Sequence, residues 1–253
     1  MDLCVLASGS KGNSTFIHSN DTNILIDAGI NAKALTNRLS QISINPSEID
    51  GIIISHEHGD HTDGVKVFCK RYDIPVYVTY QTYRNIRHDW SELNILNFEL
   101  GKPFTIKSLS IKPFYVSHDA PSTSAFVIQN GEKSIGVATD LGDFSQLLIQ
   151  NFKVCSALVL ESNYEDELLM RSSYPWNIKR RIRGHRGHLS NKRSFELIQK
   201  ISRFEVLKSV LLAHISQENN SKEHILNHLR LFPDKQINIF FTSQDNVSEI
   251  IKI

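Results

Sequence analysis

Five short apolar runs along the chain are each followed directly by an aspartate or a histidine. The runs are residues 23–26 before Asp27, 52–55 before His56, 114–117 before His118, 136–139 before Asp140 and 210–213 before His214. Runs of this length, rich in β-branched and aromatic residues, are typical of strands covered on both faces. Because these polar groups would be buried unpaired inside a strand, we expect them to collect at one sheet edge, on a rigid scaffold.

Amphipathic helices are predicted between these runs. Their apolar faces carry Ala32, Leu35 and Leu39 within 31–42; Val65, Phe68, Cys69 and Tyr72; Phe195, Ile198 and Ile201; and Ile225, Leu229 and Phe232. The expected caps of the last three are Thr62 or Asp63, Ser190 or Asn191, and Ser221. Mixed strands and helices indicate an α/β fold in which helices cover the sheet faces. Since the chain has no repeat, low-complexity tract or linker, we predict a single domain over residues 1–253.

The composition is that of a compact globular protein. With 253 residues and 40% apolar content the chain can fill a substantial core. The N-terminus has no basic region before a long apolar core, and no stretch approaches the roughly 20 apolar residues of a membrane span. Cys4, Cys69 and Cys155 lack metal-site spacing, which favours buried free thiols in a reducing compartment. We therefore expect a cytoplasmic protein that does not associate with a membrane.

The charges are distributed unevenly along the chain. No acidic residue occurs between Leu168 and Phe195, where eight basic residues are found: Arg171, Lys179, Arg180, Arg181, Arg183, Arg186, Lys192 and Arg193. Because the whole chain has 28 basic and 27 acidic residues, the remainder is acidic. We call residues 171–193 the basic segment. It suits a polyanion; the alternative interpretation is a solvated surface whose acidic partners lie elsewhere in the fold.

The string SHEHGDHTDG holds the densest group of candidate ligands. His56, His58, Asp60 and His61 form the pattern HxHxDH. Residues two apart at the end of a strand point the same way, so His56 and His58 can reach one ion. Gly59 permits a bend that turns Asp60 and His61 toward a different point. Four ligand-type residues in six positions exceed what one tetrahedral ion needs once distant histidines join, which predicts two ions.

We assign His56, His58 and His118 to the first ion and Asp60, His61 and His214 to the second, with Asp140 bridging both. Each ion then keeps a place for water, which marks a catalytic site. Nitrogen and carboxylate ligands without thiolate suit Zn²⁺ or Mn²⁺. Asp27 is expected behind the ligands, holding a histidine or the turn. Glu57 and Asp63 are expected to bind no ion.

Together these residues resemble the ordered motifs of the metallo-β-lactamase superfamily along nearly the whole chain. The resemblance implies a four-layer αββα sandwich with a dinuclear site between the two sheets. Asp140 stands where the best-known zinc β-lactamases have cysteine, which is more similar to the glyoxalase and nuclease branches. His58 stands where flavodiiron proteins generally have glutamate, which argues against the redox branch.

More specific strings resemble the YycJ/WalJ family of bacterial proteins, described as double-stranded DNA 5′ to 3′ exonucleases. They are LASGSKGNST from Leu6, ESN from Glu161, YPW from Tyr174, GHLSN from Gly187 and AHISQENN from Ala213. The chain departs from some members of this family at Tyr164, where they have histidine after Ser-Asn, and it carries the additional His185. Some superfamily nucleases insert a second domain between the motifs that correspond to Asp140 and His214. The 74 positions here leave no room for one, so a stand-alone catalytic domain is expected.

The candidate chemistry is hydrolysis. A metal-held water has a pKa of roughly 7 on a single well-placed zinc, so hydroxide is available at neutral pH. Asp60 is both a ligand and a candidate acceptor of the water's proton. His188, in the basic segment and in no ligand motif, is the candidate acid for the leaving group, since related nucleases use a histidine in a comparable place. The alternative for His188 is a helix-start residue beside Ser190 without a catalytic part.

The basic segment favours a nucleic-acid substrate. A small molecule needs one or two polar anchors, whereas a nucleic-acid backbone repeats its negative charge and rewards several Lys and Arg side chains. The predicted contacts to DNA are Lys179, Arg180, Arg181, Arg183 and Arg186. We therefore predict a dinuclear nuclease that acts on DNA ends, with the family resemblance implying 5′ to 3′ polarity on duplex DNA. The alternatives are a small-molecule hydrolase of the same fold, for a thioester, lactone or cyclic phosphodiester, and a non-catalytic metal-binding regulatory protein.

Overall fold

Two seven-stranded sheets form the centre of the structure. The computed structural model describes residues 1–233 and 236–253. Within these ranges the strands are β1 (Asp2–Ala7), β2 (Ser14–Ser19), β3 (Thr22–Ile26), β4 (Gly51–Ile53), β5 (Val76–Thr79), β6 (Ile95–Phe98), β7 (Phe104–Ile106), β8 (Leu109–Tyr115), β9 (Ser124–Asn130), β10 (Lys133–Ala138), β11 (Ala157–Glu161), β12 (Ser209–Ala213), β13 (Asn238–Phe241) and β14 (Ile251–Lys252). The first sheet has the order β14-β1-β2-β3-β4-β5-β6 and the second the order β13-β12-β11-β10-β9-β8-β7.

Helices connect and cover the strands. In the described ranges they are α1 (Ala32–Gln41), α2 (Gly59–Thr62), α3 (Val65–Tyr72), α4 (Tyr80–Asn85), α5 (Gln146–Phe152), α6 (Asp166–Arg171), α7 (Trp176–Arg183), α8 (Asn191–Ser202) and α9 (Lys222–Leu231), with a 3₁₀ turn at Pro46–Glu48. None of the helices in the described part of the chain is long and apolar enough to cross a membrane.

Three apolar layers hold the architecture together. The inner faces of the two sheets meet in a layer that includes Leu3, Ile24, Phe126 and Ile128, all fully buried. A second layer joins the first sheet to α1 and α3, and a third joins the second sheet to α5, α8 and α9. Because both faces of each sheet are covered, the strands read as continuous apolar runs. The predicted four-layer αββα sandwich is confirmed.

Strand direction brings the polar residues at the strand ends to one edge. β3 and β4 run parallel in the first sheet, and β10, β11 and β12 run parallel in the second. β8 is antiparallel to β9, which is antiparallel to β10, so β8 and β10 end at the same edge. The carboxyl ends of parallel strands are where α/β folds place their ligands.

The predicted helix starts are confirmed at two of three places. Ser190 caps α8 by accepting from the backbone N–H of Arg193, and Ser221 caps α9 by accepting from that of His224. The prediction for α3 is wrong, because its first turn follows Gly64 and receives no side-chain cap. Asp63 instead accepts from the exposed ring of His88 at 3.2 Å.

The cysteines are buried thiols, as predicted. Cys4, Cys69 and Cys155 are all unpaired and buried. Burial raises the pKa of Cys4 to about 11 and those of Cys69 and Cys155 to about 12. None of the three is therefore a reactive thiolate near neutral pH.

Truncation of Phe126 should be costly because its ring is fully buried between the sheets. We expect Phe126→Ala to lower the free energy of unfolding by about 3–5 kcal/mol, through lost burial and the cavity that remains. The matched control is Val67→Ala on α3, where 54% of the side chain is exposed and the change should stay within about 0.5 kcal/mol. Urea unfolding of the metal-free protein measures both; equal losses would contradict the assigned inner layer.

Candidate metal centre

Three histidines from two distant parts of the chain lie together in one group, which we call the histidine triad. His56 and His58 follow β4, and His118 follows β8. His56 Nε2 lies 3.1 Å from His58 Nδ1, and the ring centre of His118 lies 5.2 Å from those of both other rings. Ligand-type atoms of all three lie within 4.8 Å of one another, which is close enough to share an ion. The structure thus brings together the three residues that the sequence assigns to the first ion.

Asp140 is enclosed by histidines from both sheets. Its side chain is almost completely buried, and Oδ2 lies 3.0 Å from His61 Nε2. The other oxygen, Oδ1, lies 3.8 Å from His118 Nε2 and 3.6 Å from His214 Nδ1. The two oxygens therefore face different sets of histidines, which is the position expected of a bridging carboxylate.

The residues assigned to the second ion meet at Asp60. Its Oδ2 lies 3.5 Å from His61 Nε2 and 3.7 Å from His214 Nε2. Asn13, in the loop between β1 and β2, donates from its side-chain amide to this Oδ2 at 3.3 Å and from its backbone N–H to the Asp60 carbonyl at 2.7 Å. Asn13, to which the sequence analysis gave no role, thus holds the turn that presents Asp60.

Glu161 is a further member of the centre that we did not predict. It is fully buried at the end of β11, and its Oε1 lies 2.8 Å from Nδ1 of His188 and 2.9 Å from Nδ1 of His214. Its Oε2 accepts from the backbone N–H groups of Leu141 and Leu189 at 2.9 and 3.1 Å. The available signal was the same as for the other site residues, since residues 157–160 form an apolar run that ends in this carboxylate.

Acceptor groups behind the centre orient the histidine rings. Asp27 Oδ2 lies 2.8 Å from His61 Nδ1, and the Gly187 carbonyl lies 3.0 Å from His118 Nδ1. Because carboxylate and carbonyl oxygens only accept, each Nδ1 carries the hydrogen and each Nε2 is presented to the centre. Asp27 also accepts from the backbone and hydroxyl of Ser55 at 2.8 and 2.7 Å. It therefore lies where the sequence places it, behind a candidate ligand.

Three site residues adopt the left-handed backbone conformation. Asp27, Asp140 and His214 have φ values of 62°, 57° and 53°, and each follows the end of a strand by one or two residues. This conformation costs residues with a Cβ of order 1–3 kcal/mol and persists where the surroundings enforce it. The backbone thus turns directly after each strand, at the residues whose polar side chains lie between the two sheets.

The carboxylates set the protonation of the metal-free centre. Burial lowers the pKa of His61, but Asp140 and Asp27 outweigh it and raise that pKa well above its ordinary value. Burial likewise lowers the pKa of His214, while the nearby carboxylates of Asp140, Asp60 and Glu161 raise it well above the ordinary value. In the metal-free centre these two rings therefore carry protons. Their positive charge balances the carboxylates, as a bound cation would.

The donor set fits divalent metal ions. Asp140 Oδ2 and His214 Nε2 are buried without a hydrogen-bond partner among the described residues, and the 3.0 Å approach of His61 lacks hydrogen-bond geometry. Burial, together with the charge on His61, holds the pKa of His56 well below its ordinary value, so His56 keeps a nitrogen lone pair available. Once the histidine protons are displaced, the converging carboxylate oxygen and imidazole nitrogens can be satisfied by a cation, and imidazole with carboxylate suits zinc or manganese.

A cavity of about 190 Å³ opens beside the centre. Its walls include Ser10, Asp119, Asn163, Tyr174, Arg181 and His188. His188 is 21% exposed and its ring centre lies 5.1 Å from that of His214. Because Glu161 occupies Nδ1 of His188, Nε2 is the nitrogen that remains for a molecule in the cavity.

Most guanidinium groups of the basic segment are paired within the protein. The pairs are Arg171 with Glu167, Arg181 with Asp119, Arg183 with Asp166, and Arg193 with Asp143 and Glu196. These acidic partners lie outside the segment, as the alternative interpretation of its charge expects. Arg180 on α7 is exposed and forms no ion pair with any residue that the structure describes.

The predicted DNA contact by Lys179 is wrong. The side chain is buried, and Nζ donates to the carbonyl groups of Met170 and Ser172 at 2.8 and 2.7 Å. These carbonyls lie at the end of α6 and lack helical partners. Lys179 therefore satisfies the backbone of its own segment and is withheld from solvent.

Arg186 and its neighbours support the loop that carries His118. The Arg186 guanidinium donates to the carbonyls of His118 and Ala120 at 2.9 and 3.4 Å. The chain also passes so close to Gly142 that a Cβ there would lie 2.5 Å from the backbone nitrogen of Gly187. Part of the predicted DNA-binding segment therefore serves as the scaffold of a candidate ligand.

Comparisons with known proteins agree with this geometry. The family model described as a beta-lactamase superfamily domain matches residues 22–215. Exodeoxyribonuclease YycJ of Bacillus anthracis is 34% identical over 226 residues, which cover 88% of this chain and 85% of the relative. Exodeoxyribonuclease WalJ of Streptococcus pneumoniae is 35% identical over 227 residues, which cover 87% and 83%. The solved metallo-beta-lactamase fold protein YhfI from Bacillus subtilis aligns with a TM-score of 0.76 at 14% identity, over 98% of this chain and 99% of that one, which shows a common fold.

Metal binding should release protons and strengthen as pH rises. A raised pKa keeps His61 and His214 protonated at pH values above the ordinary histidine value of 6.5, and an ion must displace those protons. Affinity should therefore still be rising with pH at neutrality. Calorimetric Zn²⁺ titrations in two buffers of different ionisation enthalpy measure the protons released per protein. Binding without proton release, at an affinity independent of pH, would contradict this assignment.

Proposed function

The chain belongs to the beta-lactamase superfamily, as its motifs predict, and we propose that it is a metal-dependent nuclease that degrades double-stranded DNA from its ends in the 5′ to 3′ direction. The observation that carries the proposal is that the buried Asp140 belongs to two ligand-type groups beside the histidine triad, one with His56 and His61 and one with Glu161, His188 and His214. The chain is also 34% and 35% identical to two proteins named exodeoxyribonucleases. The polarity and the preference for duplex ends rest on the family resemblance.

We propose that the site holds two ions. His56, His58 and His118 would hold the first, and Asp60, His61 and His214 the second, with Asp140 between them. When bound, the two divalent ions would supply an activated water and neutralise negative charge on a phosphoryl oxygen. Asp140 Oδ2 lies toward His61 and Oδ1 toward His118, which supports a position of this carboxylate between the two ligand sets.

Asp60 and His188 are the proposed proton-transfer groups. Asp60 serves as a ligand and as the acceptor of the water's proton, and Asn13 holds its Oδ2 in place. His188 presents Nε2 toward the cavity and protonates the leaving oxygen of the cleaved strand. Glu161 is a positioning residue, because its carboxylate accepts from Nδ1 of His188 and leaves Nε2 of that ring for the cavity.

The proposed DNA contacts are on the exposed face of α7. Arg180 has no ion-pair partner among the described residues, and Arg181 and Arg183 are 60% and 46% exposed in their ion pairs. Exposed ion pairs contribute at most about 1 kcal/mol, so a DNA phosphate can replace the carboxylate partner. Lys179 and Arg186 are left out, because their donors are occupied by backbone carbonyls.

The internal ion pairs favour one second candidate, the hydrolysis of a small thioester, lactone or cyclic phosphodiester. Guanidinium groups that are already paired present less positive potential to a polyanion. The deciding experiment uses protein stripped of metal and resupplied with Mn²⁺ or Zn²⁺. It is incubated with duplex DNA labelled at either end and, separately, with a generic thioester. Metal-restored loss of the 5′ label supports the nuclease; thioester turnover without DNA degradation would establish the second candidate instead.

Replacement of His188 should slow the chemical step without emptying the site. We expect His188→Gln to lower kcat for duplex DNA by about 10²–10⁴-fold, the usual contribution of a general acid, while metal content stays at the wild-type level. His185→Gln is the matched control, since His185 is 91% exposed in the same segment. Single-turnover rates and metal analysis are the measurements. Equal rates for the His188 variant and the wild type would remove His188 from the mechanism.

Arg180 and Lys179 are adjacent on α7 but should respond differently to substitution. Arg180→Ala should weaken DNA binding for all sequences and reduce the slope of log affinity against log salt by about 1, because one phosphate contact is lost. Lys179→Met should leave that slope unchanged and lower stability by about 1–3 kcal/mol, because two carbonyls at the end of α6 lose their charged donor. Binding titrations at several salt concentrations, together with urea unfolding, measure both effects. A reduced slope for the Lys179 variant alone would reverse the assignment.

A further inference from the structure

Asp119 directly follows His118 and divides its two oxygens between the cavity wall and the histidine triad. Oδ2 accepts from Nε and Nη2 of Arg181 at 2.5 Å each. Oδ1 lies 3.0 Å from His118 Nε2 and 3.8 Å from His58 Nε2. This Oδ1 is buried and has no hydrogen-bond partner among the described residues. One oxygen is thus satisfied by α7, while the other is directed at the triad.

The contact between Asp119 and His118 needs a cation. His118 Nδ1 faces the Gly187 carbonyl, which only accepts, so Nδ1 carries the hydrogen and Nε2 presents a lone pair. A lone pair and a carboxylate oxygen at 3.0 Å repel each other, and the oxygen is buried without compensation. Neighbouring ligands on one zinc ion, with bonds of about 2.0–2.2 Å, lie roughly 3.0–3.5 Å apart. The observed spacing is that of two atoms that share an ion.

We propose that Asp119 is a further carboxylate for the ion of the histidine triad, and that Arg181, which holds its other oxygen, neutralises part of the charge that the carboxylate offers to this ion. The inference rests on the dinuclear centre proposed above. A carboxylate from Asp119 would also make the charges of the two ligand sets more equal. The triad supplies only neutral imidazoles, whereas the second set contains Asp60. With Asp119, each ion has one carboxylate of its own and a share of Asp140.

The competing explanation is that Asp119 only anchors Arg181 and thereby α7. The two explanations predict different results for Arg181→Ala. If Asp119 serves the ion, loss of Arg181 frees the carboxylate, and affinity for the ion holds or rises. If Asp119 is only an anchor, loss of either partner breaks the same pair and has the same effect.

Mn²⁺ titration of the metal-free protein, followed by the electron paramagnetic resonance signal of the unbound ion, distinguishes these cases. We expect Asp119→Asn to weaken one of the two binding steps by about 10–100-fold, the usual cost of altering a group close to a metal, and to leave the other step unchanged. Arg181→Ala should bind Mn²⁺ at least as tightly as the wild type. Asp166→Asn is the matched control, because it breaks another aspartate–arginine pair of α7, at Arg183, away from the histidines.

Asp60→Asn separates failure of this inference from failure of the proposed centre. If Asp60→Asn weakens Mn²⁺ binding and Asp119→Asn does not, the role of Asp119 is overturned and the centre stands. Equal weakening by Asp119→Asn and Arg181→Ala also overturns it. If neither aspartate variant alters Mn²⁺ binding, the centre itself is wrong. Thermal unfolding without metal verifies that each variant folds, and Asp119→Ser replaces the asparagine variant if that one does not.

Discussion

The burial of the Asp140 carboxylate is the constraint on which the rest of the site depends. An ionised carboxylate removed from water costs several kcal/mol unless positive or donor groups surround it. Here His61 approaches from the first sheet and His118 and His214 from the second, so the charge is compensated only when the two sheets are in register with each other. Burial opposes the ionisation of Asp140, yet the histidines hold its pKa well below the ordinary value. Because the groups that compensate the Asp140 charge come from both sheets, this compensation depends on the relative position of the two sheets.

In both sheets a buried carboxylate at the end of a strand orients the histidine rings. In the first sheet Asp27 follows β3 and holds His61; in the second Glu161 ends β11 and holds His214 and His188. In both cases a buried acceptor takes Nδ1, and Nε2 is left for the centre. Glu161 goes further, because one oxygen contacts a candidate ligand and the candidate acid together. The same carboxylate oxygen therefore orients both the ring of a candidate ligand and the ring of the candidate acid.

The sequence predicts the fold and most of the site because both follow from local patterns. Apolar runs that end in Asp27, His118 or Asp140 state where a strand stops and what lies at its end. The basic segment behaves differently. Its charge is visible in the sequence, but the partners of Arg181 and Arg193 come from positions 119 and 143, which no local pattern connects to them. The same holds for the buried amine of Lys179 and for the left-handed turns at the strand ends. Pairing across the fold decides whether a charge is exposed, and it becomes visible only in three dimensions.

The basic segment supports the metal centre, and this support limits the DNA-binding role that is proposed for it. Arg186 and the Gly187 carbonyl hold the loop that carries His118, and Arg181 holds Asp119. Residues of the basic segment therefore support this side of the metal centre. A cation that supports a ligand loop cannot also bind a phosphate without disturbing that ligand. Substrate that draws Arg181 away from Asp119 would return a full carboxylate charge to the centre when the phosphate arrives. Among the described residues of the basic segment few cations are unpaired, and the cavity is small. Both features favour contact with one strand end over contact with an extended duplex, because extended backbone binding needs many unpaired charges. The proposed preference for ends is thus consistent with the same ion pairs that make the segment a scaffold.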